Sequence, residues 1–336
     1  MNADTLARLS DRRLSEAYGR HVARLQALFN RAEVDGPFYL RGIGQTTERA
    51  DIDPIRWLDG ALAELADQVE IATDPLVFRP LCVDYNPYGV HFIDSFFGAE
   101  IFYLESSAGW QALPLDRPVG TLSMPDMEAN PAWRAAQHLT RRFLDYDLPN
   151  VTLGLPTLSS VLNIAVNLYG QNVLLAMLAA PDDVRHDLRI IADVICQVHR
   201  WYLEHVPLAR MQCIALEGRY QPPGYGQLCG CTTHLISCAA YRDFVAPFDD
   251  ELLSLYPHGG MIHTCGAHIQ HIPVWVEMAS LRAVQMNDRA ADDLACYFTG
   301  LRDDQVLYVN PYAGMPVERI LEITGGRRTV IVADRP

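Results

Sequence analysis

The chain has 336 residues, 49% hydrophobic and 20% charged, as expected of a globular protein with a substantial core. Its 41 acidic residues outnumber 27 basic ones, and a net charge of −14 argues against nucleic acid or an anionic membrane as the main partner. The sequence contains no lysine, which excludes Schiff-base enzymes, pyridoxal-phosphate enzymes and Walker-type phosphate loops.

Two helices are predicted in the N-terminal part of the chain. Helical spacing of leucines extends over residues 3–32, and Asp53-Pro54 is a typical start for a second helix. A passage containing glycine and proline, residues 35–50, lies between them. Residues 1–77 are therefore predicted to form a helical layer that covers a main domain of residues 78–336.

The pattern changes from residue 78 onward to short apolar runs separated by helical stretches. Near-continuous apolar runs are typical of parallel strands that are buried on both faces. The eight candidate strands are residues 78–84, 100–105, 151–155, 212–217, 260–264, 282–286, 306–310 and 329–333. The candidate helices are residues 163–177, 181–205, 239–255, 288–299 and 316–324.

Alternation of eight strands with helices predicts an α/β fold, a (β/α)₈ TIM barrel with an N-terminal helical extension. An open doubly wound sheet is the alternative, but no G-x-G-x-x-G follows the first strand. In a barrel the active site lies at the carboxyl ends of the strands. The side chains expected there are Asp84, Tyr85, His91, Glu105, Glu217, His263, Cys265, Asn287, Asp288, Asn310, Tyr312 and Asp334.

The segment GGMIHTCGAHIQH (259–271) ends the fifth predicted strand with His263 and Cys265. Side chains at i and i+2 face the same side of a strand, and nitrogen and sulfur donors suit Zn²⁺. The alternative is a buried histidine hydrogen-bonded near a small cysteine. His268 and His271 either reach the same site or cap a helix.

A glycine-rich loop, residues 218–233, carries Cys229 and Cys231. With His234 these thiols could complete a zinc site, form a redox pair, or be incidental. The sequence has no basic-then-apolar leader and no apolar run of membrane-spanning length, so a cytoplasmic location with reduced cysteines is expected.

Several segments resemble the uroporphyrinogen decarboxylase superfamily in the same order along the chain. NVTLGLPTLSSVLNIAVNLYG, which begins at residue 150, is similar to the strand, G-x-P turn and helix of that superfamily. ISCAAYRDFVAPFDDELL (236–253) resembles its "ISPE-x-F-x-EFV-x-P" helix, and GGMIHTCG (259–266) its "GG-x-x-x-H-x-CG" strand. The resemblance covers residues 78–334 and implies a TIM barrel enzyme.

Two activities are implied by the resemblance. In the decarboxylases, Glu105 falls on the catalytic Asp position, but the R-Q-A-G-R signature that holds substrate carboxylates is replaced by DYNPYGVHF (84–92). In the zinc methyltransferases, His263 and Cys265 match the first two ligands. Asp288 falls near the position of a glutamate ligand in that family, and Glu217 falls on the position of an acidic residue that binds a substrate amine. Asp334 falls near the position of a late cysteine ligand that this chain lacks.

The sequence thus predicts a zinc-dependent methyltransferase acting on a small thiol or a corrinoid-linked methyl group. Its metal ligands would come from His263, Cys265, Asp288, Cys229, Cys231 and Asp334. Glu105 and Glu217 are the expected catalytic residues, and Asp84, Tyr85, His91, Asn310 and Tyr312 the expected substrate contacts.

The predicted partners are a small-molecule substrate, a corrinoid carried by a partner protein, and a second copy of the chain in a homodimer. The alternatives are a metal-independent decarboxylase of a tetrapyrrole-like or other carboxylic acid, and a non-catalytic ligand-binding homologue.

Overall fold

A computed structural model describes residues 2–42, 49–107, 109–156, 158–213 and 218–333. The strands are β1 Phe38–Leu40, β2 Val77–Phe78, β3 Leu81–Asp84, β4 Ile101–Leu104, β5 Gly109–Ala112, β6 Val151–Gly154, β7 Met211–Gln212, β8 Gly226–Cys229, β9 Gly260–Cys265, β10 Leu281–Asn287, β11 Val306–Val309 and β12 Thr329–Val332. The helices are α1 Ala3–Leu9, α2 Arg12–Phe29, α3 Pro54–Asp67, α4 Val69–Ala72, α5 Pro131–Leu144, α6 Val161–Tyr169, α7 Asn172–Ala179, α8 Pro181–His205, α9 Cys238–Phe244, α10 Ala246–Leu253, α11 Ile272–Trp275, α12 Leu294–Gly300 and α13 Val317–Thr324.

The fold is mixed α/β and is built on a parallel sheet of seven strands in the order β2-β1-β12-β11-β10-β9-β8. A second parallel sheet has the order β3-β6-β7. The two sheets meet through residues 155–156 and 158–160, which contact both of them. In this segment the Leu155 amide donates to the Gln212 carbonyl (2.9 Å), and Ser159 forms a parallel bridge with Cys229.

Two parts of the sheet arrangement differ from the prediction. Residues 100–105 contain the predicted strand, but β4 pairs with β5 in an antiparallel hairpin, where Phe102 and Leu104 are exposed, and not with the parallel sheets that the structure describes. The passage 35–50, for which no strand was predicted, contains β1, which lies between β2 and β12 in the large sheet. The segment 1–77 therefore contributes a strand as well as helices.

Three predicted helices are each divided into two α-helices. Residues 3–32 are split into α1 and α2 at Ser10 and Asp11. Residues 163–177 are split into α6 and α7 at Gly170, whose φ of 60° is favoured only by glycine, and the two axes differ by 109°. Residues 239–255 are split into α9 and α10, where Pro247 in the first turn of α10 cannot donate a backbone hydrogen bond to α9. The predicted start at Asp53-Pro54 is confirmed, because the Asp53 carboxylate caps α3 at the Arg56 amide (3.0 Å).

One face of the large sheet changes from apolar to polar along the strands. Side chains two residues apart share a face, so Met261, His263 and Cys265 form one row on β9. The register puts Ala283 and Val306 beside Met261. Helix α2 packs against this apolar end with Leu25, Leu28 and Phe29. The polar end of the face is therefore the carboxyl end of the strands, opposite the N-terminal helix.

Among the described residues, no single helix has the length and hydropathy of a membrane span. The strongly bent pair α6 and α7 reaches those values only when the two are taken together.

Candidate metal centre and its surroundings

Three ligand atoms converge at the carboxyl ends of β8 and β9. Cys231, in the short 3₁₀ turn Cys231–Leu235 after β8, joins His263 and Cys265 of β9, and all three ligand atoms lie within 4.8 Å of one another. The Cys265 Sγ is 3.2 Å from the His263 Nε2. His263 is buried, while the two cysteines are partly exposed. Solvent therefore reaches the two cysteines of the cluster more readily than the histidine.

The turn that carries Cys231 is held against β9 by hydrogen bonds. The Gly230 amide donates to the His263 carbonyl at 2.8 Å, which continues the pairing of β8 with β9. His268 lies between two carbonyls, with Nε2 3.2 Å from the Gly230 oxygen and Nδ1 2.9 Å from the Gly266 oxygen. His271 Nε2 donates to the Thr233 carbonyl (2.9 Å). The two later histidines of the GGMIHTCGAHIQH segment thus position the Cys231 turn.

Burial keeps these two histidines in the neutral form. It lowers the pKa of His268 and lowers that of His271 to about 4, against the weaker opposing effect of their hydrogen bonds to carbonyls. Each ring packs among aromatic side chains, with His268 stacked on Trp275 and His271 beside Tyr241. Fixed neutral rings of this kind hold the turn in one place across the ordinary pH range.

His263 is oriented by a chain of buried amides. Its Nδ1 donates to the Gln285 side-chain oxygen on the neighbouring strand, and Gln285 Nε2 donates to Asn310 Oδ1 at 2.7 Å. This bond places the ring proton on Nδ1, so the lone pair of Nε2 points toward the two cysteines. A histidine held in this tautomer is ready to bind a metal through Nε2.

The two thiols of the cluster share a proton. The hydrogen bond from Cys231 and the positive charge of Arg219 lower the pKa of Cys265 despite partial burial. The same hydrogen bond, together with burial, raises the pKa of Cys231. Cys265 is therefore the thiolate of the pair, which is the form in which sulfur binds metals or acts as a nucleophile.

Arg219 is a buried cation beside the cluster. Its guanidinium donates to the His263 Nε2 at 3.3 Å and to the Cys229 Sγ at 3.4 Å. Cys229, predicted as a ligand, lies on strand β8 rather than in a loop and is bound to this arginine. Within the part of the chain that the structure describes, Cys229 does not belong to the three-residue cluster.

A second group of predicted residues lines a cavity at the carboxyl ends of β10 and β11. Its volume is about 490 Å³, and Asn287, Asp288, Asn310 and Tyr312 line it together with Arg289 and Pro311. Asn287 is the register partner of Cys265, and Asn310 ends the amide chain that starts at His263. The cavity thus adjoins the cluster. Asp288 is exposed and, among the described residues, lies outside the metal-ligand group.

The substrate contacts predicted at and after the end of β3 have three different environments. Asp84 ends β3 against Gly154, where an added Cβ would lie 2.6 Å from its Oδ1. Tyr85 is 2% exposed and packs edge-on against Trp57. Burial raises the pKa of Tyr85, so its hydroxyl stays protonated. His91 forms a 2.6 Å hydrogen bond with Asp94.

The predicted acidic residues are separated from the cluster or fall outside the described part. Glu105 is exposed in the turn of the β4–β5 hairpin and, among the described residues, is not part of the metal-ligand group. Glu217 and Asp334 lie outside the described residues.

Two members of the site were not predicted from the sequence, Gln285 and Arg219. Gln285 is a polar residue within the apolar run LRAVQMN, on the same face of β10 as Asn287. Because a buried polar side chain needs a hydrogen-bond partner, a glutamine inside such a run was a usable signal. Arg219 follows Gly218 in a loop that gave no such signal.

The donor set of the cluster fits a zinc ion. Zinc binds sulfur at about 2.3 Å and imidazole nitrogen at about 2.0 Å in a tetrahedron, which separates ligand atoms by roughly 3.3–3.8 Å. The 3.2 Å between Cys265 Sγ and His263 Nε2 is close to this spacing. Three protein ligands leave a fourth position open, as in catalytic zinc sites.

No protein family model matches the sequence, and no curated protein matches it. Solved structures do match. One of them is a methyltransferase from Methanosarcina mazei, with a TM-score of 0.64 and 12% sequence identity, over 93% of this chain and 92% of that chain. At this identity the likeness shows a shared fold.

Proposed function

We propose that this chain is a zinc-thiolate-dependent methyltransferase of the uroporphyrinogen decarboxylase superfamily. Its substrates would be a small thiol and a corrinoid-linked methyl group. The observation that carries the proposal is the cluster of Cys231, His263 and Cys265. The resemblance implies two sulfur ligands and one nitrogen ligand. This chain lacks the late cysteine of the superfamily, and Cys231, in the turn after β8, would supply the second sulfur instead.

A closed barrel is part of this proposal. The contacts of Leu155 with β7 and of Ser159 and Ser160 with β8 support the view that the two parallel sheets form one continuous wall. The metal cluster and the cavity beside Asn287 would then share the mouth of the barrel, where barrel enzymes carry their active sites. The fold shared with a methyltransferase from Methanosarcina mazei supports the proposed class of reaction.

The residues of the cluster have distinct roles in the proposal. His263 would bind zinc through Nε2, because its Nδ1 is held by Gln285. Cys265 would bind as the thiolate it already is, and Cys231 would lose the shared proton. Arg219 would give up its hydrogen bond to His263 Nε2 and keep the one to Cys229. Bound zinc lowers the pKa of a thiol in its open position and presents it as a nucleophile.

The reaction itself is a simple displacement. The thiolate sulfur forms a bond to the methyl carbon, and the bond between that carbon and its donor breaks, leaving its electron pair on the donor. The cavity lined by Asn287 and Asn310 would bind the rest of the acceptor through amide hydrogen bonds. The donor, a methylated corrinoid, would be presented by a partner protein.

The proposal is tested with purified protein, methylcobalamin and a set of small thiols, following the corrinoid spectrum. We expect methyl transfer that requires about one equivalent of zinc and is abolished in Cys265→Ser and in Cys231→Ser. Cys296→Ser, at an exposed cysteine away from the cluster, is the matched control and should behave as wild type.

Zinc well below one equivalent in wild type, unchanged in Cys265→Ser, would contradict the proposal. Release of carbon dioxide from an aromatic acid, unaffected by Cys265→Ser, would favour the decarboxylase alternative. Tight ligand binding without turnover would favour a binding protein.

A further inference from the structure

A second group of polar side chains lies in the two short 3₁₀ turns that follow β3. His91 Nδ1 and Asp94 Oδ2 are 2.6 Å apart, and Asn167 Nδ2 donates to the same carboxylate oxygen at 2.8 Å. Asp94 is 0% exposed, and the His91 side chain is 12% exposed. A buried carboxylate hydrogen-bonded to the Nδ1 of a partly accessible imidazole is the arrangement that orients a catalytic base.

The two outer atoms of this pair make no hydrogen bond to the protein groups that the structure describes. They are the His91 Nε2 and the Asp94 Oδ1, the latter a buried oxygen. Leaving a buried carboxylate oxygen without a hydrogen bond costs free energy. Burial raises the pKa of Asp94, which the bonds from His91 and Asn167 oppose. The fold therefore maintains a destabilising group, a property more typical of functional sites than of packing.

The backbone that presents His91 is also unusual. Tyr88 has a φ of 64°, in the left-handed region that a tyrosine rarely adopts. Gly89 follows at a φ of 55°, beside the Trp110 ring. Tyr88 packs edge-on against Trp110 of the β4–β5 hairpin. Contacts with Trp110 thus hold the strained turn, three and two residues before His91, against the hairpin.

Helix α6 connects this pair with the metal cluster. Asn163 accepts hydrogen bonds from the backbone and the hydroxyl of Thr232, the residue after Cys231. Asn167, which binds Asp94, lies one turn further on the same face of α6, about 5–6 Å away between Cβ atoms. The same helix face thus holds both the Cys231 turn and the His91–Asp94 pair.

We propose that His91 is the general base that takes the proton of the acceptor thiol, with Asp94 as its positioning residue. In this step the S–H bond breaks and an N–H bond forms at Nε2. The electron pair stays on sulfur, and the imidazolium is stabilised by the Asp94 carboxylate. The assignment rests on the proposed methyl transfer for the identity of the proton donor. The pair itself is tested separately below.

The first test uses the zinc-loaded protein with methylcobalamin and a small thiol. General base catalysis contributes typically 10²–10⁴-fold, so His91→Ala should lower kcat about 100-fold or more with unchanged zinc content. Added imidazole should restore part of the rate, since it can replace a missing base but not a missing structural contact. Asp94→Asn should lower kcat with little change in KM. His205→Ala, an exposed histidine bonded to its own helix, is the control.

A rate within about 3-fold of wild type in His91→Ala would overturn the assignment, since it is far below the usual contribution of a base. A loss of rate in His91→Ala that added imidazole does not restore would also overturn the assignment.

If wild type transfers no methyl group to any thiol, the proposed function fails. The pair is then judged by carbethoxylation, in which an unprotonated imidazole nitrogen attacks a carbonyl carbon of diethyl pyrocarbonate and ethyl carbonate leaves. His91 should react at least about 10-fold more slowly in Asp94→Asn than in wild type, with His205 as internal reference. Equal rates in the two proteins would overturn the assignment of Asp94.

Discussion

Replacing Gln285 with leucine tests how the metal ligand His263 is oriented. Gln285 is 0% exposed, and its amide joins His263 Nδ1 to Asn310 Oδ1. Leucine fills a similar volume but leaves the buried Nδ1–H without an acceptor, which costs about 1–3 kcal/mol of folding stability. Loss of such a partner lowers metal affinity about 10–100-fold.

The assay is competition for zinc with a chromophoric chelator, combined with thermal unfolding of the metal-free protein. Gln227→Leu is a matched control, because Gln227 is equally buried on the adjacent strand β8 and its amide makes no hydrogen bond to the protein groups described. Zinc affinity should stay near wild type in the control. If Gln285→Leu also binds zinc within about 3-fold of wild type, well short of the usual effect, His263 is not oriented by this amide.

Three further changes have defined outcomes. His271→Phe removes the bond that holds the Cys231 turn and should lower zinc affinity, with about 1 kcal/mol lost from the free energy of unfolding; unchanged affinity would refute this positioning role. Gly154→Ala puts a Cβ 2.6 Å from Asp84 Oδ1 and should lower the melting temperature; an unchanged melting temperature would show that Asp84 moves aside readily. Burial raises the pKa of Asp249 to about 7, so between pH 4 and 7 the folded state binds a proton that the unfolded state has lost, and the free energy of unfolding falls as pH rises. The difference in stability between Asp249→Asn and wild type should therefore shift in favour of the variant from pH 5 to pH 8. A difference that is the same at both pH values would refute the shift.

The sequence predicted those parts of the fold that depend on local patterns. The runs at residues 260–264, 282–286 and 306–310 are long and apolar enough to be recognised as buried strands, and each overlaps a strand of the large sheet. Strand β1 has only three residues, and its hydrogen-bond partners lie some 40 and 290 positions away in sequence. Such a strand has no periodic signal of its own.

The prediction for β4 fails for the opposite reason, because this strand has a clear sequence signal but a different place in the fold. IFYL has the composition of a buried strand, but its side chains alternate between partial and full exposure. Composition alone does not distinguish a buried strand from a covering hairpin, because the difference lies in what packs against it.

The candidate site was predictable only in part for the same reason. His263 and Cys265 are two residues apart, so strand geometry alone puts them on one face. Cys231 is 32 positions before His263, and its approach depends on the pairing of β8 with β9 and on the bonds from His268 and His271. The sequence offered Cys229 and Cys231 equally, and only the turn after β8 separates them.

X-ray absorption spectroscopy of the zinc-loaded protein tests the central claim most directly. The account predicts two sulfur ligands at about 2.3 Å and one nitrogen ligand at about 2.0 Å, with the remaining position filled from solvent or substrate. In Cys231→Ser one sulfur should disappear while the nitrogen stays. A zinc environment with no sulfur, or one that is identical in Cys231→Ser, would contradict the account.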